Sequence, residues 1–149
     1  GKYSTYEGGT RVPFLVRWPK RIKPGTSDAL VCQIDLLASL AALVGQAVPG
    51  DAALDSENVL AALLGESRTG RELLVEHAAG LALRKDQWKY IAPRPPRGAA
   101  AKGQATGKPS PGELYNLAED PGETKNLASE RPELVRKLDT TLNEIRVRP

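Results

Sequence analysis

Three short strand-like segments follow one another closely in the second half of the sequence, and this spacing restricts the fold more than any other feature. The segments are Leu73–Glu76, Gly80–Arg84 and Trp88–Ile91. Only Lys85-Asp86-Gln87 lies between the last two, so a tight turn is expected to join them as an antiparallel hairpin. A further strand is predicted at Glu113–Leu117. The sequence therefore predicts a small antiparallel sheet of about four strands.

An amphipathic helix is predicted at the end of the chain, from Glu130 to Arg146, with Ser129 placed to cap it. Its apolar stripe consists of Leu134, Leu138, Leu142 and Ile145. Trp88 and Tyr90 alternate along their strand and share one face of the sheet, which we expect to lie under this helix. Residues 71–149 therefore predict an α+β layout of sheet and packed helix.

Residues 1–70 have a different pattern, of α/β character. Phe14–Val16 is a continuous apolar run between Pro13 and Pro19, which suits a strand covered on both faces in a parallel sheet. A second short strand is predicted at Ala29–Cys32. The chain offers few parallel neighbours for the first strand, so we expect the segment at 13–18 to be an exposed edge that favours self-association.

Two helices are predicted after these strands. Asp35 is placed to cap a helix at 36–44, whose broad apolar stripe ends before Gly45. Ser56 is placed to cap a second, short helix that ends before Gly65. Residues 1–70 are thus expected to form a strand-and-helix unit ahead of the antiparallel sheet.

Composition excludes several classes of protein. The 149 residues are 40% hydrophobic and 26% charged, which is ordinary for a globular domain. No apolar run is long enough for a membrane-spanning helix. Cys32 is the single cysteine and His77 the single histidine, so an internal disulfide and a histidine-based metal site are not expected. The sequence starts at Gly1 and has no Met, so we expect it to be a piece of a longer protein.

The basic character of the chain stems from one segment. Residues 92–112 contain four basic residues and no acidic one, whereas the whole chain has a net charge of only +3. The segment is rich in Pro, Gly and Ala, which predicts a flexible, solvated loop. It has no aromatic residues between its basic ones, so a nucleic-acid partner is not expected. Docking of an anionic partner such as a sulfated glycan is an alternative use of this loop.

Four strings occur in an order that resembles type I, formylglycine-dependent sulfatases, also called arylsulfatases. They are GKYSTYEGGTRVP at 1–13, QIDLLASLAALVG at 33–45, LRKDQWKYI at 83–91 and ELYNLAEDPGETKNL at 113–127. The resemblance that they indicate covers nearly the whole chain except the basic loop. The resemblance implies the end of a large alkaline-phosphatase-like α/β domain in residues 1–70. It implies the C-terminal sulfatase subdomain, a four-stranded antiparallel sheet with a packed helix, in residues 71–149.

The resemblance also implies a chemistry. Sulfatases hydrolyse sulfuric esters with a formylglycine hydrate as nucleophile and a calcium ion that polarises the sulfate. Cys32 is not followed by Pro-Ser-Arg, so it is not the formylglycine precursor, and we expect a small buried thiol. The calcium ligands lie upstream of Lys2 in the family. No metal or cofactor is therefore expected on this chain, and as an isolated fragment it is expected to be inactive.

Lys2 is the catalytic position that carries over from the family, where the lysine at this place contacts the sulfate of the substrate. A compact ammonium suits an oxyanion and charge that builds on a leaving oxygen. Glu7 and Arg11 are expected to form an ion pair that holds the loop containing Gly8 and Gly9. His77, which follows a predicted strand, is a candidate for lining the substrate cleft.

Two alternatives remain beside a sulfatase acting on sulfate esters. One is the C-terminal part of a related phosphodiesterase or phosphonate monoester hydrolase, since these share the overall fold. The other is a non-catalytic module that binds anionic glycans through the loop at 92–112. By family analogy the parent protein is expected to be periplasmic or extracellular.

Overall fold

The computed structural model describes residues 3–94 and 111–147, which fall into two compact units. The first, here called the sheet unit, contains the described residues up to Val12 and those from Val75 onward. The second, here called the helical unit, is Pro13–Leu74. The short N-terminal segment thus belongs to the same unit as the antiparallel sheet, although the sequence patterns suggested a single boundary near residue 70.

The predicted four-stranded antiparallel sheet lies in the sheet unit, except for Leu73 and Leu74, which belong to the helical unit. Its strands are β1 (Leu73–His77), β2 (Leu81–Lys85), β3 (Trp88–Ile91) and β4 (Glu113–Asn116), in the order β1-β2-β3-β4. The pairs β2–β3 and β3–β4 are antiparallel. The strand bounds lie within a residue of those predicted, because each strand ends where its apolar residues give way to turn residues.

The hairpin between β2 and β3 is as tight as predicted. Lys85 pairs with Trp88, which leaves Asp86 and Gln87 as the connecting residues. Asp86 has a φ of 53°, a left-handed conformation that Asp tolerates better than most side chains. This turn fixes the register of β3 and therefore decides which of its side chains lie on each face of the sheet.

The last helix, α4 (Pro132–Arg146), packs against β3. Leu138 is only 2% exposed, and the Tyr90 hydroxyl donates a hydrogen bond of 2.8 Å to Asp139 Oδ1. The Arg131 guanidinium lies 5.5 Å from the centroid of the Trp88 ring. The helix therefore covers the sheet face that Trp88 and Tyr90 share, as the sequence predicted.

The start of α4 differs from the prediction. The helix begins at Pro132 and has Arg131 as N-cap residue, without a side-chain capping bond. The prediction that Ser129 caps this helix was therefore wrong. Proline is favoured in the first turn because its missing N–H has no helical partner there.

The helical unit contains α2 (Asp35–Leu43) and α3 (Leu60–Leu63), and the glycine predicted after each helix ends it. Gly45 and Gly65 both have a φ of 71°, the left-handed conformation that follows a C-cap. The N–H of Gln46 bonds the carbonyl of Ala41, and that of Glu66 bonds the carbonyl of Ala61, at 2.9 and 2.8 Å. These are the six-to-one bonds of the Schellman motif.

The two caps predicted in this unit are wrong. Asp35 lies inside the first turn of α2, and its carboxylate accepts the N–H of Cys32 at 2.9 Å and that of Glu57 at 3.0 Å. It also pairs with Arg71, and Asp35 is fully buried. A carboxylate with this many partners serves to hold several segments together, so a simple capping pattern did not reveal its role.

Ser56 likewise contacts α2 and does not cap α3. Its hydroxyl donates to the Ile34 carbonyl at 2.7 Å and accepts the Ala38 N–H at 3.0 Å. The N-cap residue of α3 is Val59. Ser56 therefore supplies a hydrogen-bond acceptor to the Ala38 N–H in the first turn of α2, although Ser56 itself lies outside that helix.

Neither strand predicted in residues 1–70 forms. The segment at 13–18 and the one at 29–32 have no strand assignment, and Leu15 is 89% exposed. A strand requires a ladder of backbone hydrogen bonds to a neighbour. The Arg71 N–H does donate to the Leu30 carbonyl at 2.8 Å, but this bond does not extend into a ladder at either segment. The apolar residues at 13–18 are exposed as expected, but as irregular chain. The sequence predicted a buried thiol at Cys32, whereas the structure shows Cys32 to be only half-buried.

Within residues 3–94 and 111–147, no helix is long and apolar enough to cross a membrane.

Candidate functional site

The structure describes some of the residues that the resemblance indicated as functional and leaves others undescribed. Lys2 lies outside the described residues, as do residues 95–110 of the basic loop. His77 is the last residue of β1 and is exposed. Glu7 begins α1 (Glu7–Thr10), a single turn of helix in the sheet unit. The segment that follows Lys2 is therefore well described, and it leads to an unexpected cluster.

Lys89 is the centre of this cluster. It stands in the middle of β3 between Trp88 and Tyr90, so its side chain points to the sheet face opposite to theirs. The side chain is 0% exposed. A charged ammonium is kept in a protein interior only when partners replace its water.

Three glutamates and a threonine surround the Lys89 ammonium. Nζ lies 2.8 Å from Glu7 Oε1, 2.8 Å from Glu76 Oε2 and 3.7 Å from Glu123 Oε1. It also donates to Thr10 Oγ1 at 3.3 Å. We call these five residues the lysine cluster. Its members come from α1, β1, β3 and the turn after β4, so it ties four segments together at one point.

Glu7 is the most constrained member of the lysine cluster. Its backbone N–H donates to Glu123 Oε2 at 2.6 Å, while its own carboxylate faces Lys89. Glu7 Oε2 lies 3.6 Å from Arg84 and 3.8 Å from Arg11. The ion pair predicted between Glu7 and Arg11 is therefore present, and it is the exposed and weaker part of a larger network.

Two carboxylate oxygens of this network are buried with incomplete partners. Among the described residues, Glu7 Oε2 and Glu123 Oε1 are buried without a hydrogen bond and rely on ion pairs alone. Burial raises the pKa of the Glu123 carboxyl, and the Glu7 N–H and the Lys89 ammonium oppose this increase. A buried carboxylate with incomplete partners is costly, so removal of the central cation would leave several uncompensated charges.

A second group of hydrogen bonds also holds the N-terminal segment. We call this group and the lysine cluster the two anchors of that segment. Glu113 Oε2 accepts hydrogen bonds from the hydroxyls of Tyr6 at 2.7 Å and Tyr115 at 2.6 Å. The two rings meet edge to face with centroids 6.1 Å apart. The hydrogen bond to Glu113 raises the pKa of Tyr6, and burial followed by that hydrogen bond raises the pKa of Tyr115. Both phenols therefore stay protonated donors at neutral pH.

The two anchors fix the N-terminal segment against the sheet. Thr5 is fully buried, the Tyr6 hydroxyl donates to Glu113, and the Glu7 carboxylate accepts from Lys89. Sequence reasoning missed this because it read the strand at 88–91 as core packing by its two aromatic residues. The signal was present in Lys89, which takes the opposite face by strand alternation and so needed an acidic partner there.

The described residues do not form a metal site. No group of three or more His, Cys, Asp or Glu side chains within 3–94 and 111–147 is arranged to hold a metal ion. Three carboxylates do converge in the lysine cluster, but the Lys89 ammonium occupies the centre between them. What this arrangement can do is hold a loop in one orientation.

The fold is that of one part of alkaline-phosphatase-like proteins. It superposes with a TM-score of 0.85 on a solved structure from work on glycosaminoglycan metabolism by Bacteroides thetaiotaomicron. The two sequences are 44% identical, and the match covers 99% of this chain and 32% of that one.

Sequence comparison gives the family. The family model described as Sulfatase matches residues 1–46. An N-acetylgalactosamine-6-O-sulfatase of Bacteroides thetaiotaomicron is 46% identical over 99% of this chain, which corresponds to 30% of that protein. Human arylsulfatase A is 35% identical over 93% of this chain, which corresponds to 31% of its length. The chain is a part of a protein of the sulfatase family, and it spans about a third of the length of these relatives.

Proposed function

We propose that this chain is the C-terminal part of a sulfuric ester hydrolase, in which Lys2 contacts the sulfate of the substrate. The observation that carries this proposal is the 46% identity to an N-acetylgalactosamine-6-O-sulfatase over 99% of the chain. The loop that follows Lys2 is anchored through Glu7 and Tyr6, which suits a segment that must present a charged group at a defined place.

The role of Lys2 follows from the charge of the reaction. A sulfate ester carries a negative charge on its oxygens, and more charge builds on the leaving oxygen as the ester bond breaks. An ammonium held nearby stabilises this charge, most strongly where water is excluded. On this proposal the sheet unit contributes the lysine and the rigid support for it.

The nucleophile and calcium that sulfatases use do not fit the described residues. Cys32 is followed by Gln33, Ile34 and Asp35 and so lacks the formylglycine motif. The carboxylates that converge already have the Lys89 ammonium between them. We therefore assign both groups to the portion of the relatives that this chain does not span, and we expect no turnover from this chain by itself.

His77 is proposed as a residue of the substrate cleft. It lies at the exposed end of β1, next to Glu76 of the lysine cluster. An exposed imidazole at this place is able to donate a hydrogen bond to a hydroxyl or sulfate oxygen of a substrate. A His77→Ala variant would then raise KM for a sulfated sugar more than for a small aryl sulfate.

The proposal is tested by comparing the isolated chain with the full-length gene product. Both are assayed with calcium on an aryl sulfate and on N-acetylgalactosamine 6-sulfate, the second because of the relative named above. We expect turnover only from the full-length protein. Hydrolysis by the isolated chain would contradict our assignment of the nucleophile to another part of the protein.

Lys2 is tested in the full-length protein. Lys2→Ala is expected to lower kcat by about 100- to 1,000-fold, which is the usual effect of removing one group that stabilises transition-state charge. Lys137→Ala, on the exposed side of α4, is the matched control with the same change of charge. Equal kinetics for the two variants would remove Lys2 from the mechanism.

A further inference from the structure

The lysine cluster is a costly way to hold a sheet together. Replacing a buried ion pair by apolar side chains of similar volume is often neutral or stabilising, so buried charge is weak evidence for stability. What a set of charged hydrogen bonds does provide is a defined orientation of the groups it joins. The lysine cluster therefore serves to orient one of the segments that it joins.

The segment that is oriented is the one that follows Lys2. Glu7 is held by its N–H, through Glu123, and by its carboxylate, through Lys89. Thr10, one helical turn later, donates to Glu76 at 3.2 Å and accepts from Lys89 at 3.3 Å. Both ends of α1 are thus attached to the same ammonium and its partners, which fixes the direction of this turn of helix.

The attachment lies close to Lys2 along the chain. From Lys2 to Thr5, which is fully buried, is three residues, a span of at most about 11 Å even for extended chain. From Lys2 to Glu7 is five residues, at most about 18 Å. A rotation of α1 would therefore move the described residues that are nearest to Lys2 along the chain.

We propose that Lys89 is a positioning residue for Lys2. Its ammonium, enclosed by Glu7, Glu76 and Glu123, fixes the orientation of α1 and thereby places the Lys2 ammonium at the sulfate oxygens. This inference rests on the proposed function of Lys2. A group that stabilises transition-state charge must be placed within a fraction of an ångström, and misplacement by about 1 Å can cost 100-fold in rate.

The first test removes the central cation in the full-length gene product. Lys89→Met keeps the length of the side chain and removes its charge. We expect kcat on a sulfate ester to fall by about 10- to 100-fold, with a smaller change in KM, because the loss acts on transition-state charge. Glu7→Gln is the second variant. It keeps the shape and the backbone N–H of Glu7, and it is used if Lys89→Met does not fold.

The decisive measurement is a double-mutant cycle with Lys2→Ala. If Lys89 acts through Lys2, adding Lys89→Met or Glu7→Gln to Lys2→Ala will lower kcat by less than about threefold further. Losses that multiply would mean that Lys89 acts independently of Lys2 and would overturn the inference while leaving the role of Lys2 intact. An unchanged kcat in Lys2→Ala would instead overturn the proposed function, and the inference with it.

A stability control separates positioning from general damage. Asp35→Asn removes the charge of a fully buried carboxylate that pairs with Arg71 in the helical unit. It is compared with Lys89→Met or Glu7→Gln at a temperature where circular dichroism shows all variants to be folded. We expect Asp35→Asn to lower Tm by a similar amount and to leave kcat within about threefold of the wild type. A kcat that follows Tm equally in all variants would overturn the inference.

Discussion

The helices α4 and α2 bury opposite kinds of residue. In α4 the buried residues are Leu138 and Leu142, which lie on its apolar stripe. In α2 the buried residues are Asp35 and Ser39, while Leu40 is 52% exposed. An apolar stripe thus predicts a helix but not its partner. The stripe of α4 is covered by the sheet, whereas much of the stripe of α2 is exposed, at Leu37, Leu40, Leu43 and Val44.

The largest expected effect concerns these two stripes. In the isolated chain, Leu138→Ala should cost about 2–5 kcal/mol, because it leaves a cavity under α4. Leu40→Ala should change stability by less than about 0.5 kcal/mol. Urea unfolding followed by circular dichroism measures both. Equal losses would contradict the exposed position of the α2 stripe.

The same pair of variants tests whether α2 is covered in the full-length gene product. A substantial cost of Leu40→Ala there, absent in the isolated chain, would show that another part of the protein covers α2. The cost of Leu138→Ala should stay the same in both, because its partners lie within the sheet unit.

A smaller effect should separate the two units at alkaline pH. Burial raises the pKa of Tyr90 and Tyr115, reinforced by Asp139 and Glu113 respectively. The raised pKa of a tyrosine means that its contribution to stability is complete below its unfolded value of 10.0 and is lost as pH rises toward the folded value. The sheet unit, which holds all four tyrosines, should therefore weaken first.

Tyrosinate absorbance and tryptophan fluorescence measure this order, since Trp88 reports on the sheet unit and Trp18 on the helical unit. Tyr90→Phe should lose about 1 kcal/mol at neutral pH together with part of the alkaline slope. Ionisation of Tyr90 and Tyr115 near pH 10.0 without unfolding would contradict the burial that the structure shows.

The smallest effect is expected on the acid side, within the lysine cluster. Burial raises the pKa of Glu123 above its ordinary value of 4.5, although Lys89 and the Glu7 N–H oppose this, while Glu7 and Glu76 add repulsion. Its contribution to stability is therefore complete below pH 4.5 and is lost as pH rises through the folded pKa. Glu123→Gln should flatten this part of the pH profile of unfolding.

Urea midpoints across the weakly acidic range measure this slope, with Glu130→Gln as an exposed control of the same chemistry. A slope that persists in Glu123→Gln would show that another carboxylate in the sheet unit is responsible.

The sequence predicted the parts of the fold that depend on local pattern. The strands β1 to β4, the hairpin at Asp86 and the glycine ends of α2 and α3 follow from alternation and turn chemistry, and each is present. The predictions at 13–18 and 29–32 failed because a strand needs neighbours, which local pattern cannot supply. The caps failed because Asp35 and Ser56 found tertiary partners.

The candidate site was predictable only in part. The sequence predicted the pairing of Glu7 with Arg11 as a clamp on a loop. The pair is present, but the structure places the two residues one helical turn apart. The more important pairing of Glu7 with Lys89 joins residues 82 positions apart, so no local pattern contains it. Lys89 between Trp88 and Tyr90 did indicate a charge on the second face of β3, but the identity of its partners required the fold.

The anchoring of the N-terminal segment also bears on biosynthesis. Glu7 is held by a residue 116 positions later, and Tyr6 by one 107 positions later. A ribosome must therefore translate most of this chain before the segment that follows Lys2 can settle, and contacts of such long range close late in folding. Until then Glu7 of the nascent segment stays hydrated, so its charge carries no desolvation penalty. The segment that follows Lys2 cannot take its final conformation before these partners are in place.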